Sequence, residues 1–318
     1  MSLFEWLLGV IVILLTLFLA FTVYNQYRLR KEKKLIKPIG TIVKVNGKGF
    51  HVYAEGKKTS KLTLLIMAGS GVPAPSLEYK VLYTKLSSRF RVVVPEKAGY
   101  GYSEITNNSR DVETLVDETR TALQLAGETP PYVLMPHSYS GIEALYWSQK
   151  YPQEISAIVG LDMAVPEACL SIKWKIPKLE LKLFGIMRQV GLFRIPFMKV
   201  SKYTELSKQE EKQYYYLAYA KAFNRNIISE VVDVMESAQK VNDSKLPQVP
   251  MLLFVTEGHG TGVDWRTMQH HLAEKVMNSE VIDLSCEHRL HYHVSPLIAE
   301  KTIELVEKIT EVLSDSES

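Results

Sequence analysis

The sequence predicts an α/β fold: a mostly parallel central sheet with helices on both faces, a helix-rich stretch interrupting it, and one apolar helix ahead of the sheet. Three observations lead there. From residue 61 to 162 short apolar runs alternate with amphipathic ones, as in parallel strands joined by helical crossovers. The alternation stops between residues 167 and 247, where helix formers dominate, and resumes at 250. Residues 6–24 form an unbroken apolar run without a charge.

The 318 residues suffice for one sizeable domain with an appendage. A hydrophobic fraction of 46% supplies a full core, and a net charge of +3 is too small to argue for a nucleic-acid partner. The two cysteines, Cys169 and Cys286, lie far apart. They form neither a disulfide framework nor a metal-ligand spacing, and fit a reducing compartment. No metal or cofactor is expected.

Trp6 to Tyr24 is long enough to cross a hydrocarbon core of roughly 30 Å as a helix. Its two end residues are aromatic, as at a membrane interface. Arg28, Arg30, Lys31, Lys33, Lys34 and Lys37 follow. A cleaved leader would carry its positive charge before the apolar run and small residues after it. Here only Glu5 precedes the run and Asn25-Gln26-Tyr27 follow. The reading is an uncleaved membrane anchor over 1–27 and a basic juxtamembrane linker over 28–40. The positive flank puts the globular part on the cytoplasmic face.

The core is expected in two pieces, 41–166 and 248–318, around a helix-rich insert at 167–247. Asn46-Gly47 lies between the alternating runs 41–45 and 50–54, a hairpin signal. Strands are expected at 62–67, 91–94, 132–136, 155–161, 250–255 and 280–284, mostly apolar and so buried on both faces. Helices are expected at 79–86, 111–125, 265–276 and 296–313, and one directly after Ser138. The basic, aromatic stretch from Lys173 to Lys199 has the composition of an interfacial helix.

Pro136-His137-Ser138-Tyr139-Ser140-Gly141 places a serine between a buried strand and an amphipathic helix, the layout of a nucleophile elbow. A second stretch reads Pro95-Glu96-Lys97-Ala98-Gly99-Tyr100-Gly101-Tyr102-Ser103-Glu104. With these residues the chain resembles the α/β-hydrolase family. That family's small-x-Ser-x-small elbow stands here with Pro136 and Ser140 at its outer positions. Its Pro-Asp-x-x-Gly-x-Gly-x-Ser-Asp stretch keeps Gly99, Gly101 and Ser103, with Glu96 and Glu104 for the two aspartates. The resemblance spans roughly residues 41–313.

The resemblance implies an α/β-hydrolase fold with residues 167–247 as a helical cap over the site, Ser138 as nucleophile and His288 as its base. A serine hydroxyl needs such a base, and the base an orienting acid. His291 is the runner-up; His293 and His259 read as solvated or structural. The acid is Asp162, at the end of the strand before the cap, with Asp264 as the alternative. Glu257 sits too early, and the usual position of the acid falls near His259. The backbone N–H groups of Tyr139 and Ser70 are the expected oxyanion donors, and Ser70 follows Ala68-Gly69, where the family usually has His-Gly. Serine at 138 speaks against the branches of the fold that use aspartate there, the dehalogenases and epoxide hydrolases. The expected substrate is a small molecule with an ester, thioester or amide bond and an apolar acyl part. The competing reading is the same fold used as a non-hydrolytic ligand sensor or partner-binding module.

Overall fold

The computed structural model describes residues 2–58, 61–172, 178–194, 205–258 and 262–317. It opens with helix α1 (Leu3–Lys33), whose N-terminus is closed by a Ser2–Glu5 capping box. Among the described residues α1 is the one helix long and apolar enough to cross a membrane. The helix does not end with its apolar run, so residues 28–33, expected as linker, continue it. Arg28 bridges to Glu32 one turn on at 3.0 Å, and buried Asn25 and Glu32 face the rest of the protein. Tertiary contact thus lengthens a helix that composition alone would stop at Tyr27.

Strands β1 (Thr41–Val45) and β2 (Lys48–Glu55) form the expected hairpin, with Asn46 and Gly47 at positive φ, as a two-residue turn requires. Then come β3 (Thr63–Met67), α2 (Pro75–Glu78), α3 (Lys80–Leu86), β4 (Arg91–Glu96), α4 (Val112–Leu125), β5 (Tyr132–Pro136), α5 (Ser140–Lys150) and β6 (Ile155–Leu161). Among the described residues four α-helices separate β6 from the next strand: α6 (Pro166–Ser171), α7 (Lys178–Val190), α8 (Lys208–Lys221) and α9 (Arg225–Asn242). The chain closes with β7 (Met251–Val255), α10 (Trp265–Glu274), β8 (Ser279–Asp283) and α11 (Ser295–Glu317). The stretches 173–177 and 195–199 of the expected interfacial segment lie outside the described residues, as does His259.

The strands form one eight-stranded sheet in the order β1-β2-β4-β3-β5-β6-β7-β8. Only the β1–β2 and β2–β4 pairs are antiparallel. Successive residues of β5 enter opposite cores: Tyr132 and Leu134 pack with α4 and α5, while Val133 and Met135 pack with α3 and α11. Each such aliphatic side chain, fully buried, contributes about 1.5–3 kcal/mol. With both faces covered, the free edge for chemistry is the rim where the parallel strands end.

The helices between β6 and β7 are fastened over that rim by polar contacts. Tyr214 of α8 donates to buried Glu78 at 2.7 Å, and Asn224 donates to the Gly99 carbonyl at 2.8 Å. Lys97, after β4, is held between Glu143 of α5 at 2.7 Å and Glu230 of α9 at 2.8 Å. All three are buried.

Candidate active site

Strand β5 ends at Pro136 and helix α5 begins at Ser140, leaving three residues to reverse the chain. Ser138 carries the turn with φ of +55°, a left-handed conformation that costs a non-glycine residue on the order of 1–3 kcal/mol. Several hydrogen bonds hold it there. His137 N donates to Met67 O at 3.0 Å, and the Ser138 carbonyl accepts from Gly141 N at 2.9 Å and Ala164 N at 2.8 Å. Ser140, standing where the elbow motif has glycine, donates its hydroxyl to Met67 O at 2.7 Å and to His137 O at 2.8 Å. The departure from the motif thus adds a brace between β3 and the elbow. Across the turn, a Cβ on Gly69 would stand 2.7 Å from Ser138 Cβ, so only glycine fits.

At the adjacent rim lies Asp162, fully buried. Its Oδ2 is 2.6 Å from His288 Nδ1 and accepts from the Thr256 hydroxyl at 2.7 Å. Its Oδ1 accepts from Thr256 N at 3.0 Å and from Trp265 Nε1 and Gln269 Nε2, both at 3.1 Å. Burial alone would raise this carboxyl; the bond to His288 and those from Thr256 outweigh it and hold it below its ordinary range. An ionised acceptor at Nδ1 keeps the proton on that nitrogen and leaves Nε2 of His288 as the basic one.

His137 links the elbow to the loop bearing His288. His137 Nε2 lies 3.1 Å from the His288 carbonyl oxygen, and the two rings are 4.7 Å apart. Because a carbonyl only accepts, Nε2 carries the proton and Nδ1 accepts from the Tyr79 hydroxyl 3.0 Å away. Burial first, then the neighbouring His288 and His291, push the pKa of His137 well below the usual histidine value. This ring is a neutral strut between the elbow and the loop bearing His288. In this geometry the Ser138 hydroxyl itself has no hydrogen bond among the described residues.

The N–H groups of Tyr139 and Ser70 are also without a partner among the described residues, whereas those of Ser140, Gly141 and Ile142 are bonded. Tyr139 is the N-cap of α5, so its amide adds to the positive end of a helix. The loop carrying Ser70 is tied down by Gly71 N donating to the Tyr100 hydroxyl at 3.2 Å. Tyr100 in turn donates to Glu230 of α9 at 2.9 Å. The stretch from Glu96 to Ser103 shapes the loop beside the elbow. Buried Glu96 accepts from Ser76 N at 3.0 Å and Tyr102 N at 2.6 Å, and Ser103 bonds back to the Glu96 carbonyl at 2.6 Å.

The other candidates go elsewhere. Asp264 is exposed and caps α10, accepting from Thr267 N at 3.1 Å. His291 is fully buried, 3.9 Å from Glu78 and away from Asp162. His293 lies 3.7 Å from Glu287, and Glu257 is exposed. Sequence reasoning passed over Trp265 and Gln269, although their spacing of four on one helix puts both on a single face, as donors to one acceptor would need. Lys97 and Glu230 carry no local signal. Among the described residues no group of three or more His, Cys, Asp or Glu side chains is placed to hold a metal.

Comparison with known proteins agrees with this architecture. Residues 68–291 match the family described as alpha/beta hydrolase fold. The uncharacterized protein YbdG of Bacillus subtilis (strain 168) is 38% identical over 238 residues, 73% of each chain. Among solved structures, Cfl2 of Burkholderia cenocepacia superposes with a TM-score of 0.64 at 18% identity, covering 83% of this chain and 94% of that one. The haloalkane dehalogenase DbeA of Bradyrhizobium elkani USDA94 superposes at 0.60 with 14% identity, covering 86% and 98%. CarC, a serine hydrolase involved in carbazole degradation, superposes at 0.58 with 11% identity, covering 85% and 98%. At these identities the likeness is one of fold.

Proposed function

The chain belongs to the α/β-hydrolase family, and from that premise we propose that it is a membrane-anchored serine hydrolase cleaving an ester, thioester or amide bond of an apolar acyl substrate. The observation that carries the reading is the bond from His288 to a buried, fully solvated-by-donors Asp162, beside an elbow that holds Ser138 at positive φ.

Ser138 Oγ attacks the acyl carbonyl carbon while His288 Nε2 takes its proton. The bond between the two forms as substrate draws the loops together, since catalytic hydrogen bonds are often long in the free enzyme. Asp162 stabilises the imidazolium. The N–H groups of Tyr139 and Ser70 receive the negative oxygen of the tetrahedral intermediate, each worth about 3 kcal/mol in such a role. His288 then returns the proton to the leaving oxygen, sulfur or nitrogen, which departs and leaves an acyl-Ser138. A water, deprotonated by His288, attacks this ester, and Ser138 is regenerated. In this reading helix α1 tethers the enzyme, and the basic flank after Tyr27 supports a globular part on the cytoplasmic face.

Full-length protein in mild detergent should react covalently with a fluorophosphonate probe, and Ser138→Ala should abolish the reaction without lowering the melting temperature. A folded wild-type protein that never labels would contradict the hydrolase and favour a binding module on the same fold.

A further inference from the structure

Helix α7 packs one face inward through Leu181, while half-exposed Phe184 stacks on Phe223 at 5.0 Å and Val190 is buried at the end where α7 meets α1. Ahead of that end, the opposite face is apolar and exposed among the described residues: Leu179 is 69% exposed, Leu183 50% and Ile186 49%. These positions follow one another at four and three residues, so they form a single stripe along the helix. Lys182 stands exposed beside it.

The end of this helix is tied to α1 at one definite height. Asn25 is the first residue after the apolar run that ends at Tyr24. Its side-chain amide donates to the carbonyls of Arg188 at 3.1 Å and Gln189 at 2.7 Å. Arg194, just beyond α7, donates to Asn25 Oδ1 at 2.6 Å and grips Glu32 with both terminal nitrogens at 2.9 and 2.7 Å. The stripe is therefore continuous with the surface at which α1 would leave a bilayer. Exposed Arg30, Lys31, Lys33 and Lys34 follow on α1, roughly 8–14 Å beyond Asn25 along the helix axis. A solvated apolar stripe is unfavourable in water, whereas in the headgroup region it gains burial and the flanking cations gain anionic partners.

We propose that the Leu179–Leu183–Ile186 face of α7 lies in the interface of an anionic phospholipid bilayer, and that the substrate is an acyl lipid drawn from that bilayer. The second half of this proposal rests on the hydrolase reading; the first half does not. Membrane contact by the cap holds the site at the source of a sparingly soluble substrate, so turnover of a lipid-borne ester depends on α7 while turnover of a soluble one does not.

The test uses the full chain in phosphatidylglycerol-containing nanodiscs, in a Cys286→Ser background. An environment-sensitive fluorophore is attached at Leu183→Cys, and in a second protein at Gln124→Cys on exposed α4. Brominated lipids are expected to quench the first severalfold and leave the second untouched. Replacing the stripe by Leu179→Glu, Leu183→Glu and Ile186→Glu together is expected to slow hydrolysis of a long-chain acyl ester dissolved in the bilayer severalfold, with a short-chain soluble ester turned over at the original rate. An unquenched label at 183 overturns the bilayer contact. Equal losses on both esters overturn the lipid-substrate assignment. If neither ester is turned over by the unaltered protein while 183 is quenched, the hydrolase reading and its substrate fall and the bilayer contact stands.

Discussion

Nδ1 of His288 lies 2.6 Å from Oδ2 of Asp162, across 126 positions of sequence. The pair supports Asp162 over Asp264 as the proposed acid. Asp162→Asn removes the acceptor that fixes the His288 tautomer and is expected to lower kcat by about 10⁴-fold. Asp264→Asn keeps a capping side chain on α10 and is expected to leave kcat unchanged. Steady-state assays of both variants check this, and loss of activity in Asp264→Asn alone would reverse the assignment.

Gly69 touches the elbow from the opposite side, so a methyl group there acts on the nucleophile without removing it. The added Cβ would stand 2.7 Å from Ser138 Cβ and 3.0 Å from the His137 carbonyl oxygen. Overpacking of this kind costs roughly 1–3 kcal/mol. Gly69→Ala is expected to slow fluorophosphonate labelling at least tenfold, read from the time course of labelling at fixed probe concentration.

Lys97 joins the sheet, α5 and α9 through Glu143 and Glu230, with all three side chains buried. Lys97→Met leaves two facing carboxylates with no cation between them. Removing one partner of a buried ionic group costs about 3–5 kcal/mol, and the melting temperature is expected to fall by several degrees. Adding Glu230→Gln to Lys97→Met should recover part of the loss, which a double-mutant cycle would measure.

Acid should weaken the fold before its carboxylates titrate. His137 and His291 are both fully buried, and burial is the first cause that lowers each pKa from 6.5. Below that value the unfolded chain binds protons that the folded one refuses, so stability falls as pH falls. Each group contributes up to about 1.4 kcal/mol per pH unit. Urea midpoints in mild detergent are expected to drop between pH 7 and 5, and His137→Gln should make that decline shallower. A midpoint independent of pH over this window would contradict the neutral strut.

Local signals in the sequence determined the strand–helix alternation, the turn at Asn46-Gly47, the serine between strand and helix, and the apolar run of α1. Each depends on neighbours a few residues away, through backbone period or turn chemistry. Which acid meets His288 was decided only in three dimensions. β6 and β7 are adjacent in the sheet, and that adjacency sets Asp162 beside Thr256 while α10 brings Trp265 and Gln269 onto the same carboxylate. The Lys97 clamp and the docking of Asn25 on α7 belong to the same class. Their partners are distant in the chain, and no periodicity marks a residue whose role is fixed by what another element places opposite it.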